Sequence, residues 1–171
     1  MHHLKKLARF LSAATLLAVA GCGGAPDKVQ FTSMVSFGDS LSDVGTYAVG
    51  TVAALGGGKY TVNSATAKNW TELVAAQLKL APPCAAQTGL LGDPQQGFFA
   101  PVVNHPVCFN YAQGGSRVTN PVGPGNKLLG GNDAILGQLT VPVVTQIATH
   151  LSKVGGAFGA TDLVTVMAGV A

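Results

Sequence analysis

Apolar residues fall along this chain in short runs punctuated by glycine, proline and asparagine. Residues 29–37 end in Met34-Val35-Ser36-Phe37, a composition that suits a buried strand. Gly38 follows and lets the chain turn sharply. The pattern after Ser40 predicts a helix over 42–55, stopped by Gly56-Gly57-Gly58. Asn69 with Glu72 three residues on reads as a capping box. The helix it opens carries Trp70, Leu73, Val74, Gln77 and Leu78 at helical spacing and ends at Pro82-Pro83, with Trp70 expected in the core. Residues 81–106 show no periodicity and read as an insertion, in which Gln96-Gly97-Phe98-Phe99 is expected as a loop packing its aromatics. A second strand is expected over 107–111, then a glycine-rich loop over 121–131. The last helix places Val141, Val144, Ile147, Ala148 and Leu151 on one face, and the run 162–167 is a third strand. Strands and helices in this order predict an α/β fold.

Composition narrows the class. The 171 residues are 47% apolar and only 10% charged, with 23 glycines, which describes one loop-rich globular domain rather than a disordered chain or a repeat array. The formal charge of +3 comes from Lys5, Lys6 and Arg9; from Cys22 onward seven basic residues face seven acidic ones. That balance gives no electrostatic case for a nucleic-acid partner. The three early cations precede an apolar stretch, 10–20, too short to span a bilayer. Val19-Ala20-Gly21-Cys22 then looks like a bacterial lipobox, with Cys22 the lipidated residue; plain secretion is the alternative. Residues 1–21 are accordingly expected as a lipoprotein signal peptide, 22–28 as a tether and 29–171 as the domain. A lipid anchor at Cys22 would hold the protein on a membrane of the bacterial cell envelope. In an exported chain the remaining pair, Cys84 and Cys108, is expected as a disulfide. The histidines (His2, His3, His105, His150) offer no metal-ligand spacing, so no metal and no cofactor is expected.

The chemistry sits after the first strand. Gly38-Asp39-Ser40 alone describes a turn, but the nine residues FGDSLSDVG (37–45) resemble the first signature block of the GDSL (SGNH) family of serine esterases and lipases. Asn110-Tyr111-Ala112-Gln113-Gly114-Gly115 resembles that family's second block, Asn-Tyr-Ala-x-Gly-Gly. The resemblance implies a three-layer, flavodoxin-like parallel sheet, incomplete at its C-terminus, with the first strand between the second and third. It implies hydrolysis of carboxylic esters, with Ser40 as nucleophile and the backbone N–H groups of Ser40 and Gly115 in the oxyanion hole. Asp39 and Asp43 are expected to bond the backbone of the turn. The substrate would be a lipid or acylated glycan ester.

Two further blocks of that family are not matched. Its Gly-x-Asn-Asp block is echoed by Gly130-Gly131-Asn132-Asp133, but these letters follow a loop instead of a strand, so the oxyanion asparagine is expected beyond Ala171. No Asp-x-x-His spacing occurs, and neither His105 nor His150 is expected to reach Ser40. The resemblance therefore covers residues 29–171 as the first part of such a domain. A chain with only these blocks is expected to be nearly inert, and its last strand to leave an apolar edge open to other chains. The alternatives are a non-catalytic lipoprotein that binds lipid or glycan on this scaffold, and an inactive truncated remnant.

Overall fold

The computed structural model describes residues 29–169 except positions 63 and 65. The leader, Cys22 and the tether lie outside the described residues, as do Val170 and Ala171. The chain divides into residues 1–30 and 31–171, and everything that follows concerns the second unit.

That unit is mixed α/β. Strand β1 (Ser33–Gly38) is almost wholly buried, as its apolar run requires. It pairs in parallel with β4 (Asp162–Met167) from Ser33↔Asp162 to Gly38↔Met167. On its other side Ser36 bridges Asn110, also in parallel, through Ser36 N–H to Phe109 O (3.0 Å) and Tyr111 N–H to Ser36 O (2.8 Å). The first strand is thus flanked on both sides, by β4 and by this bridge. The stretch 107–111, expected as a full strand, forms only this bridge and a second one from Asn110 to Ala85. Pro106 offers no N–H and Cys108 donates back to His105 O, so the ladder does not lengthen.

The helices follow local chemistry. Helix α1 is confined to Gly50–Ala54, not 42–55. Asp43 accepts from the N–H groups of Gly45 and Thr46 (both 2.8 Å), an Asx turn that competes with helix, and Gly45 (φ 137°) lies outside helical space. Helix α2 (Trp70–Gln77) has the complete capping box: Asn69 accepts from Thr71 N and Glu72 N, and Glu72 accepts from Asn69 N. It buries Thr71 and Ala75, while Leu73 and Leu78 are exposed. The short α3 (Gly131–Leu136) precedes α4 (Val143–Lys153). Helix α4 buries Val143, Gln146 and His150, a face rotated from the expected one; Val144 and Ala148 point outward. The rotation places two polar side chains inward, where each finds a partner.

The supposed insertion holds an antiparallel hairpin, β2 (Gln87–Leu91) with β3 (Phe99–Asn104), bulged between Thr88 and Leu90. A disulfide, Cys84–Cys108, closes the segment at its base. The apolar core is small, built from Val35, Phe37, Ala86, Tyr111 and Val143 with Phe109 and Ile147 against it. Most of the remaining interior is polar and hydrogen-bonded.

Candidate functional site

The candidate site begins where β1 ends. A Cβ on Gly38 would overlap the Met167 carbonyl of β4, so only glycine admits so close a strand. Asp39 follows, fully buried; its N–H donates to Met167 O (3.2 Å) and its carboxylate accepts from Leu41 N (3.2 Å). Ser40 stands at the tip of this turn, half-buried, its carbonyl accepting from Thr61 Oγ1 (3.3 Å). Among the described residues its hydroxyl has no hydrogen-bond partner. No helix N-terminus follows directly, because α1 starts ten residues later.

Side chains join the two sequence blocks, in addition to the backbone bond from Gln113 N to Gly38 O (3.2 Å). Asp43 is fully buried, and its second oxygen accepts from Gly114 N (2.9 Å) while the first holds Gly45 and Thr46. Asn110 donates to Ser42 O (2.9 Å), Thr46 Oγ1 to Ala112 O (3.1 Å) and Tyr47 Oη to Gly114 O (2.8 Å). From α2, Trp70 Nε1 donates to Ser42 Oγ (3.1 Å) and Asn69 Nδ2 to Asp43 O (3.1 Å). Trp70 is therefore half-buried against the turn and serves it directly, where core packing was expected. Burial pushes the Asp43 carboxyl up to about 6 from an ordinary 3.8, although three backbone amides and Thr46 Oγ1 favour its charged form.

Gly115 follows in a left-handed conformation (φ 78°), and a Cβ on it would overlap the Pro124 carbonyl. Packing alone thus accounts for glycine at this position. Among the described residues no acceptor meets its N–H. Asn132 lies exposed on α3. Neither described histidine bonds Ser40: His105 Nε2 pairs with Thr88 Oγ1 (2.9 Å), and His150 Nδ1 with Tyr111 Oη (3.2 Å). His150 is buried among Phe37, Phe109, Tyr111 and Phe158. Its pKa is lowered by burial, with Asp162 opposing and Lys153 reinforcing the shift.

Two glutamines of the framework, Gln146 and Gln113, were not among the candidate residues, Gln113 standing at the variable position of the second block. Gln146 on α4 accepts from Gly38 N and donates to Gly38 O (both 2.9 Å), clamping the residue before the turn. Gln113 accepts from Val141 N (2.9 Å), and its own N–H donates to Gly38 O (3.2 Å). The available signal for Gln146 was its spacing four residues before His150, which puts both on one face of the helix. Among the described residues no cluster of three or more His, Cys, Asp or Glu could hold a metal ion, and no helix is long and apolar enough to cross a membrane. The chain matches no protein-family model and no curated protein.

Proposed function

We propose that this chain carries the nucleophile turn and one oxyanion-hole segment of a serine esterase of the GDSL (SGNH) kind, acting on carboxylic esters of a lipid or acylated glycan. The observation that carries the reading is Asp43: one buried carboxylate ties the Ser40 turn to the Gly114-Gly115 segment. In this reading the Ser40 hydroxyl attacks the ester carbonyl, and the N–H groups of Ser40 and Gly115 stabilise the oxyanion. Among the described residues the Ser40 hydroxyl and the Gly115 N–H have no hydrogen-bond partner, which supports these roles. The parallel pairing of β1 with β4, and its bridge to Asn110, support a flavodoxin-like sheet as the parent architecture. On the same reading Cys22 carries the lipid that tethers the protein to the cell envelope.

Among the described residues no general base bonds Ser40, since His105 engages Thr88 through Nε2, and His150, buried with its Nε2 unpartnered, engages Tyr111 through Nδ1. External imidazole can substitute for such a base. A fluorophosphonate probe should label the chain slowly at Ser40, faster with added imidazole, and not at all in Ser40→Ala. Labelling that ignores imidazole, or that persists in Ser40→Ala, would remove the esterase reading. The same engagement of both imidazoles favours the second reading, a non-catalytic ligand-binding lipoprotein, which predicts no labelling under either condition.

A further inference from the structure

A cavity of about 480 Å³ opens between α4 and the base of the hairpin, within the range of small-molecule sites, about 300–1,000 Å³. Neither Ser40 nor Gly115 lines it. Its apolar surface comes from Ala86, Pro106, Val141 and the ring of Tyr111. One wall is a relay of amides: Val141 N donates to Gln113 Oε1 (2.9 Å), Gln113 Nε2 to Gln87 Oε1 (3.0 Å), and Gln87 Nε2 to Asn104 Oδ1 (2.9 Å). Each relay oxygen accepts one of these bonds, and each of the three amide nitrogens keeps at least one hydrogen that the relay does not use. The Asn104 amide nitrogen has no acceptor among the described residues.

Lys153 closes the opposite side. Its ammonium lies over the rings of Phe109 (5.0 Å) and Tyr111 (5.9 Å) and donates to His105 O (3.4 Å). Among the described residues it has no ion-pair partner, and no Asp or Glu lines the cavity. The titratable groups lining the cavity besides Lys153 are His105 and Tyr111, whose hydroxyl pairs with His150 Nδ1. A pocket with an apolar floor, spare N–H donors and one unpaired cation is complementary to an apolar body bearing a negative head. We propose that this cavity binds a monocarboxylic acid with an apolar tail, its carboxylate toward Lys153 and the Asn104 and Gln87 amides. The site is independent of the esterase reading.

Calorimetric titration of the full chain with octanoate, kept below its micelle concentration, tests this. Octanoate should bind saturably with a dissociation constant of about 0.1–1 mM. Octanamide, the neutral counterpart, should bind at least about fivefold more weakly. Lys153→Met, which keeps the stem over the rings, should weaken octanoate and leave octanamide unchanged. Thr149→Trp, at an exposed position on the rim, should abolish both. Equal affinity for acid and amide, saturable binding that survives Thr149→Trp in a chain with an unchanged melting curve, or no saturable binding of octanoate would each overturn the proposal. If Thr149→Trp does not fold, the acid–amide comparison in Lys153→Met decides alone.

Discussion

At Asp43 two requirements conflict. The carboxylate must accept three backbone amides to join the Ser40 turn to Gly114, yet it does so out of contact with water. Burial prevails, and its pKa rises from 3.8 to about 6. The native state therefore holds this proton more tightly than the unfolded chain does. The resulting stability is complete below pH 3.8 and is lost as pH rises through about 6, a difference of about 3 kcal/mol. Asp43→Asn cannot titrate, so the stability of the wild type relative to this variant should fall by roughly 2–3 kcal/mol between about pH 4 and pH 7. Urea unfolding of both proteins across that range measures it, and a flat difference would mean the carboxyl does not titrate there. Gly115 teaches a different caution. Because a Cβ there would overlap the Pro124 carbonyl, loss of function in Gly115→Ala would report strain as readily as a lost oxyanion donor. The bonds of Asp43 to the backbone of its turn were legible because an Asx turn is set by neighbouring residues. Gln113 and Gln146 were not: Gln146 reaches Gly38 only when α4 docks, and the Gln113 side chain bonds Val141 N and Gln87 Oε1 from segments distant in sequence.

Elements with strong local signals formed where the sequence placed them. The Asn69–Glu72 box opens α2, and the β-branched run at Asp162–Met167 forms β4. Local signals failed where distant partners decide. The segment expected as helix over 42–55 bends instead around Asp43, whose third acceptor contact lies seventy-one residues away. The hairpin of β2 and β3 was hidden because β3 is largely exposed and so lacks an alternation of apolar and polar positions. Its base is held by Cys84–Cys108, across a separation of 24 residues. Loop closure of that size contributes about 3 kcal/mol. The double variant Cys84→Ser, Cys108→Ser should lower unfolding stability by about that amount, as measured with denaturant. Ala86, Gln87, Asn104, His105 and Pro106 all lie between the two cysteines and line the cavity. The same variant should therefore weaken octanoate binding, whereas a disulfide that merely stabilises would leave affinity unchanged.

For the molecule as a whole, the uneven burial of its sheet matters most. Strand β1 is enclosed on both edges, by β4 and by the bridge at Asn110. Strand β4 is paired only with β1 among the described residues, and Val164 and Val166 are 36% and 56% exposed. It carries no lysine, arginine or proline, the usual guards of a free edge. An apolar strand with unpaired backbone groups is a template for another chain, so the full chain should self-associate in a concentration-dependent way. Val166→Lys places a charge on that strand at its more exposed valine, 56% accessible. It should weaken association in analytical ultracentrifugation while changing unfolding stability by less than about 0.5 kcal/mol. Association equal in Val166→Lys and wild type would locate the contact elsewhere, and a wild type that stays monomeric at high concentration would show that the β4 edge is protected.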